Sequence, residues 1–148
     1  MAKKLIIFDF DDTLTDNSKR DIQSFIHIIR EFNLALDYQV GQKIVQWRRA
    51  GMVSNSIIKK LIDADDKILF KKCVKQRLNF LENYDSYTKY VQLKHTTLRI
   101  LSELNNQNHI IVLNSIQSDY QKFQKILTHF KINDFFQKIF INQLSTTK

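Results

Sequence analysis

A short apolar segment that runs directly into three carboxylates constrains this chain more than any other feature. Residues 5–8 are Leu-Ile-Ile-Phe, and Asp9, Asp11 and Asp12 follow at once. The run is partly β-branched and does not alternate with polar residues, which predicts a strand buried on both faces in the middle of a parallel sheet. The acids then lie just past the carboxyl end of the strand, where open α/β sheets bind their ligands.

Three carboxylates so close together need a physical reason, because like charges repel each other. A hard divalent cation relieves that repulsion, and Mg2+ is the usual choice beside phosphate. Asp9 and Asp11 are two residues apart, a spacing that points both side chains the same way in extended chain. One can attack while the other moves protons, and the hydroxyl of Thr13 can hold a phosphate oxygen. The plain alternative is a strand followed by an acidic loop.

Residues 8–14, Phe-Asp-Phe-Asp-Asp-Thr-Leu, resemble the first signature of the haloacid dehalogenase (HAD) superfamily, a hydrophobic strand that ends in Asp-x-Asp-x-Thr. The resemblance implies that Asp9 is a nucleophile that becomes an aspartyl-phosphate. It implies that Asp11 is the general acid and base, with both carboxylates beside Mg2+. Asp12 stands where the family often has Gly. An Asp at position 11 goes with phosphoryl transfer in this family and argues against a dehalogenase.

The bulk composition is that of a soluble globular protein. The chain has 148 residues, of which 43% are hydrophobic and 26% charged, enough for one domain with a core. Cys73 is the only cysteine, so no internal disulfide is possible and a reducing compartment is favoured. The apolar run before Asp9 is too short for a signal peptide or a membrane span. We therefore expect a cytoplasmic protein with no membrane partner.

The net charge of +8 raises the question of nucleic acid as a partner. The basic residues are scattered, with doublets but no long run, so we expect a solvated lysine-rich surface and no nucleic-acid partner. Such a surface would attract phosphorylated substrates. Pro is absent and Gly occurs only at Gly41 and Gly51, so Asn, Ser and Asp must supply the turns.

A helical segment separates the acids from the next strand. Apolar periodicity predicts helices over about 18–33, 39–49, 54–62 and 65–81, followed by a polar, aromatic linker over 84–90. This insert resembles a HAD cap of the helical type. The predicted domains are thus an α/β core over 1–15 and 89–148 and a helical cap over 16–88. The fold class is α/β, a HAD-like Rossmannoid parallel sheet, incomplete at the C-terminus, with a helical cap insertion.

A second candidate site segment follows a predicted helix over 93–104 and a buried strand over 109–113. Asn114 and Ser115 stand at the end of that strand, where the family resemblance implies a hydroxyl that holds the phosphoryl group. Counting along the strand favours Asn114, whereas residue type favours Ser115. We prefer Ser115 as the catalytic hydroxyl and keep Asn114 as a neighbouring substrate-binding residue. A further helix near 120–130 and a strand at 138–141 complete the pattern.

The resemblance implies a lysine about eight residues after this last strand, and then a further strand and an acidic pair that completes the metal site. Lys148 is the candidate for that lysine, and the acidic pair is absent. The missing strands would leave an apolar sheet edge exposed. Either a fragment of a longer protein or a natural short form, its edge covered by a partner, fits this pattern.

The leading hypothesis is a Mg2+-dependent phosphate monoester hydrolase that acts on a small phosphorylated metabolite through an aspartyl-phosphate. The catalytic set would be Asp9, Asp11, Thr13, Ser115 and Lys148, with Asp9 and Asp11 at the metal. The alternative is a truncated or non-catalytic HAD-like domain that serves as a binding or regulatory module, as a homodimer. A phospho-receiver domain is disfavoured, because it needs an acceptor Asp after its third strand and has no helical insert.

Overall fold

The computed structural model describes residues 2–34, 39–62, 65–117 and 119–142. The chain divides into two compact units. The core unit consists of Met1–Asn17 and Val91–Lys148, and the helical unit is Ser18–Tyr90. Each unit is described by itself below.

Five strands lie in the core unit: β1 (Leu5–Phe8), β2 (Thr15–Asp16), β3 (Gln92–Leu93), β4 (Ile110–Ile116) and β5 (Lys138–Asn142). Strands β1, β4 and β5 form a parallel sheet in that order, with Phe8 opposite Leu113 and Leu113 opposite Ile139. Strands β2 and β3 form a small antiparallel pair. The predicted α/β class with a parallel sheet is confirmed.

Seven α-helices lie in the described part of the chain: α1 (Ser18–Glu31), α2 (Val40–Arg49), α3 (Ser54–Leu61), α4 (Lys67–Glu82), α5 (Tyr84–Tyr90), α6 (Thr97–Asn106) and α7 (Tyr120–His129). A 3-10 turn at Asn133–Phe135 precedes β5. None of the described helices combines the length and apolar character needed to cross a membrane.

The two faces of the parallel sheet differ in what covers them. Ile111 and Leu113 of β4 are fully buried, as are Leu101 of α6 and Phe123 and Leu127 of α7. The side chains of opposite parity point to the other face, where large apolar groups are exposed. These exposed groups are Leu5, Ile7, Ile110, Ile116 and Phe140.

The prediction that β1 is buried on both faces is wrong for the residues that the structure describes. Leu5 and Ile7 are each 61% exposed. Both side chains point to the face of the sheet that also leaves Ile110 of the central strand exposed, and β1 pairs with β4 alone at the edge of the described sheet. The expectation of an exposed apolar edge is confirmed.

Three local predictions also need correction. Residues Tyr84–Tyr90 form a helix instead of a linker, because the Asn83 side chain accepts hydrogen bonds from the backbone N–H groups of Asp85 and Ser86, at 2.7 and 3.4 Å. Helix α6 begins at Thr97, since the preceding residues pair as β3. Strand β4 continues to Ile116 because its last residues pair with β5.

The helical unit packs around an apolar cluster drawn from α1, α2, α3 and α4: Phe25, Ile28, Ile44, Ile57, Ile58, Leu61 and Cys73. An ion-pair network links three of these helices. Asp21 accepts from Arg48 Nε at 2.6 Å and from Arg77 Nη2 at 2.5 Å. Burial lowers the pKa of the Arg77 guanidinium, and Asp21 acts in the opposite direction.

Left-handed backbone occurs at four described non-glycine residues, Asp12, Asn33, Asn108 and Lys131, with φ between 48° and 59°. Asn and Asp adopt this region more readily than other side chains. The expectation that they supply tight turns in a glycine-poor chain is confirmed at Asp12, Asn33 and Asn108. Lys131 was not anticipated.

Candidate functional site

The loop that carries the acids curls around one buried residue. Phe10 is fully buried, and its ring meets Phe123 edge to face with centroids 4.9 Å apart. The Phe10 carbonyl accepts hydrogen bonds from the backbone N–H groups of Leu14 at 3.0 Å and Thr15 at 3.3 Å. A third hydrogen bond to the same carbonyl comes from the Thr15 hydroxyl at 3.2 Å. Phe10 thus anchors the loop between the two candidate catalytic acids.

Asp12 closes the turn of this loop in the left-handed conformation, with φ of 59°. This explains why a glycine suits the position and why an Asp is tolerated there. The Asp12 carboxylate accepts from the Asn17 backbone N–H at 3.2 Å. Lys94 holds the loop twice, through its Nζ on the Asp12 carbonyl and its backbone N–H on the Leu14 carbonyl. Asp12 and Lys94 therefore support the loop geometry.

Asp9 follows the last residue of β1 and is exposed. Its Oδ2 accepts a hydrogen bond from the Thr13 hydroxyl at 3.3 Å. Within 2–34, 39–62, 65–117 and 119–142, no hydrogen-bond donor contacts its Oδ1. The structure thus brings Asp9 and Thr13 together and leaves one carboxylate oxygen of Asp9 open to a ligand.

Asp11 is held differently, by two side-chain amides. Asn17 Nδ2 donates to Oδ1 at 3.1 Å, and Gln117 Nε2 donates to Oδ2 at 2.9 Å. Gln117 Nε2 also donates to the Ser115 hydroxyl at 3.1 Å. The predicted site residues Asp11 and Ser115 are therefore joined through one amide group.

Sequence reasoning missed Gln117 and Asn17. Gln117 lies two residues beyond Ser115, so it shares the side of the extended chain on which Ser115 lies. This spacing could have linked Gln117 to Ser115. The sequence near Gln117 does not indicate its contact with Asp11, which is 106 positions away.

Asn114 and Ser115 face different surroundings on β4. Asn114 is exposed, and its Oδ1 accepts from Asn142 Nδ2 at 2.9 Å. Ser115 is buried and contacts Gln117. Phe8 and Leu113 are register partners, so the next residues, Asp9 and Asn114, come at the same level of the sheet. Asn114 and Ser115, the two candidates for the phosphoryl-binding residue, thus both lie near the acid loop. Of the two, Ser115 is linked to Asp11 by hydrogen bonds through Gln117.

Lys148 lies outside the described residues, so its predicted role stays a prediction. The described ranges contain no group of three or more His, Cys, Asp or Glu side chains that could hold a metal ion. The oxygens of Asp9 and Asp11 are still the hard donors that Mg2+ prefers. Two carboxylates supply part of a Mg2+ shell, which waters and phosphate oxygens ordinarily complete.

A family model for haloacid dehalogenase-like hydrolases matches residues 6–148. The chain belongs to this family. The match includes the acid loop, the helical unit and β4 with Asn114 and Ser115.

Solved structures of HAD proteins share the fold. A Clostridium difficile protein with a provisional phosphatase assignment has a TM-score of 0.71 at 20% identity, over 99% of this chain and 64% of that one. A HAD-like hydrolase from Streptococcus pneumoniae has a TM-score of 0.62 at 18% identity, over 95% and 61%. The magnesium-bound HAD hydrolase YfnB from Bacillus subtilis, also a provisional assignment, has a TM-score of 0.55 at 18% identity, over 95% and 64%.

The chain spans between 61% and 64% of the length of these three structures. None of the curated protein sequences matches it. At these identities the structural likeness establishes the fold, and the family match establishes membership of the haloacid dehalogenase-like hydrolase family.

Proposed function

We propose that this chain carries the catalytic acids of a Mg2+-dependent phosphate monoester hydrolase that works through an aspartyl-phosphate on Asp9. The observation that supports this most is the contrast between the two leading acids. Asp9 is exposed with an open oxygen, as a nucleophile must be, and Asp11 beside it is oriented by two amides. A nucleophile with a positioned proton donor is the arrangement that phosphoryl transfer needs.

In the first half-reaction, an Asp9 oxygen attacks phosphorus in line. The bond between phosphorus and the leaving oxygen breaks, its electron pair stays on that oxygen, and Asp11 gives it a proton. In the second half, Asp11 takes a proton from water, whose oxygen attacks phosphorus. The Asp9 carboxylate is displaced and inorganic phosphate is released. Thr13 and Ser115 donate hydrogen bonds to the phosphoryl oxygens, and Asn114 adds a polar contact.

The donor set of the acid loop fits Mg2+ in kind, since carboxylate oxygens are its usual protein ligands. Asp9 and Asp11 would hold the ion together with waters and substrate oxygens. When bound, Mg2+ neutralises charge on the phosphoryl group. The magnesium-bound state of the relative YfnB supports this assignment.

The helical unit is proposed to act as the cap that selects the substrate. It carries 14 Lys and Arg against 8 Asp and Glu, and so most of the net charge of +8. A positive surface raises the local concentration of anions. A small phosphorylated metabolite is therefore the proposed substrate, in the cytoplasm, with no membrane or nucleic-acid partner. Lys148 is proposed to pair with the phosphate.

The test is hydrolysis of p-nitrophenyl phosphate by the 148-residue chain with and without Mg2+. Asp9→Asn should lower kcat on the order of 1,000-fold or more, because the nucleophile is lost. Asp134→Asn is the matched control. Asp134 is an exposed acid that contacts only Asn133 among the described residues, so its replacement should leave kcat unchanged.

Retained turnover in Asp9→Asn would contradict the proposed mechanism. A folded, monodisperse wild-type chain with no Mg2+-dependent turnover would favour the alternative of a non-catalytic binding module. Sedimentation of that same sample would then test whether the module is a homodimer.

A further inference from the structure

The amide group of Gln117 occupies a position that the proposed reaction does not yet use. Its Nε2 contacts Asp11 Oδ2 at 2.9 Å and the Ser115 hydroxyl at 3.1 Å. A carboxylate oxygen can only accept hydrogen bonds, so the side of the amide that faces Asp11 must be its NH2 group. The two N–H bonds of one nitrogen thus reach two predicted site residues.

Asn17 completes the arrangement from the opposite side of the carboxylate. Its Nδ2 donates to Asp11 Oδ1 at 3.1 Å. Asn17 follows β2 and Gln117 follows β4, so two separate parts of the core unit fix the two oxygens. A carboxylate bound at both oxygens by different elements cannot rotate about its terminal bond without breaking one of the bonds.

We infer that Gln117 and Asn17 are positioning residues that aim the Asp11 carboxylate at the leaving-group oxygen. The inference rests on the proposed function. Neither amide needs to touch the substrate, because both act through Asp11. Proton transfer requires the acid within hydrogen-bond reach of the accepting atom, so a freely rotating Asp11 protonates the leaving oxygen less often.

The two residues differ in what else they hold. Gln117 also holds Ser115, which is proposed to contact the phosphoryl group. Asn17 Nδ2 also donates to the hydroxyl of Thr15, a buried residue of β2, at 3.3 Å. Loss of Gln117 should therefore weaken both proton transfer and phosphoryl binding. Loss of Asn17 should weaken proton transfer with little change in KM.

The decisive readout is dependence on the leaving group. Phenyl phosphate and p-nitrophenyl phosphate are similar in shape, but phenolate is the poorer leaving group and depends more on protonation. Asn17→Ala should lower kcat/KM about tenfold for phenyl phosphate and about twofold for p-nitrophenyl phosphate. Gln117→Ala should show the same difference between the two esters, together with a further loss common to both, because it also weakens phosphoryl binding. Gln117→Glu, which places a second carboxylate against Asp11, should lose at least as much as Gln117→Ala. Gln117→Asn keeps an amide on a shorter side chain and should fall between wild type and Gln117→Ala.

Gln124→Ala is the matched control, since Gln124 is half-buried on α7 and its amide donates to the Tyr120 hydroxyl at 3.1 Å. Its kcat/KM should be unchanged for both esters. Equal losses for the two esters in Gln117→Ala and Asn17→Ala would mean a general structural effect and would overturn the inference. Unchanged kinetics in both variants would overturn it as well.

Failure of the inference and failure of the proposed function remain distinguishable. Wild-type turnover that disappears in Asp9→Asn but is indifferent to Gln117 rejects only the inference. If the wild type has no turnover, a stability cycle of Asp11→Ala, Gln117→Ala and the double variant still tests the contact. Their shifts in urea midpoint should be non-additive, and additive shifts would contradict the contact on which the inference depends.

Discussion

Asp11 in the core unit and Asp21 in the helical unit each accept hydrogen bonds on both carboxylate oxygens, but their donors differ in charge. Asp21 is bound by guanidinium groups, through Arg48 at 2.6 and 2.7 Å and Arg77 at 2.5 Å. The amides that bind Asp11 come from Asn17 and Gln117 and are neutral. Both carboxylates thus have a hydrogen bond on each oxygen, but these donors are cationic for Asp21 and neutral for Asp11.

Of the two carboxylates, Asp21 is the structural one. Guanidinium partners cancel the charge of Asp21, and in turn Asp21 compensates the buried Arg77. The amides of Asn17 and Gln117 fix the orientation of Asp11 and are neutral, and Asp9 and Asp12 stand beside it in the same loop. A loop that carries three carboxylates is suited to a cation and to proton transfer. The distance of an aspartate from the acid motif does not tell the structural carboxylate from the catalytic candidate, whereas the charge of its hydrogen-bond donors does.

The largest expected effect on stability comes from removing Asp21. Asp21→Ala leaves the buried Arg77 without its carboxylate and should lower the free energy of unfolding by about 3 kcal/mol. Asp11→Ala should cost about 1 kcal/mol or less, because its amide partners are only partly buried and repulsion within the acid loop is relieved. Urea unfolding, followed by the fluorescence of Trp47 for the helical unit and by circular dichroism for the whole chain, measures both.

Glu103→Ala is the control for this comparison. It removes an ion pair with Arg99 on the surface of α6, in which the side chain of Arg99 is 65% exposed and that of Glu103 is 53% exposed. The free energy of unfolding should therefore change by less than about 0.5 kcal/mol. The account of two kinds of carboxylate would be wrong if Asp11→Ala proved as destabilising as Asp21→Ala.

The reactivity of Cys73 reports local opening of the helical unit, a smaller effect than the change in unfolding free energy. Cys73 is the only cysteine, it is fully buried in the helical unit, and burial raises the pKa of its thiol. Because the thiolate is the reactive form, alkylation of the native chain should be slow. Asp21→Ala should accelerate labelling at least about tenfold by opening the helical unit more often. Asp11→Ala should leave the labelling rate near that of the wild type, and mass spectrometry over time distinguishes these outcomes.

Much of the fold could be predicted because periodicity reports local structure well. The helices of the insert and the parallel strands follow from the spacing of apolar residues. Burial of β1 could not be predicted in the same way. The run Leu-Ile-Ile-Phe indicates a strand that is apolar on both faces. It does not indicate which elements cover those faces. Helix α5 was missed because a capping side chain, Asn83, starts it without an apolar stripe.

The candidate site was predictable where its members are close in sequence. Asp9 and Thr13 belong to one motif, and the structure joins them by a hydrogen bond. The link from Asp11 to Ser115 was not predictable, because it runs through Gln117 across the parallel sheet. A glutamine at a strand end has no distinctive local signal, and its function depends on the sheet register.

Asp9 is proposed to carry a phosphoryl group during turnover, and that group can be trapped and located by mass spectrometry. The chain would be mixed with p-nitrophenyl phosphate and Mg2+, quenched in acid within milliseconds and digested for mass spectrometry. The account predicts a phosphorylated peptide that contains residues 5–15, with the modification on Asp9 and absent from Asp9→Asn. Phosphorylation of a different residue, or turnover with no covalent intermediate and undiminished in Asp9→Asn, would contradict it.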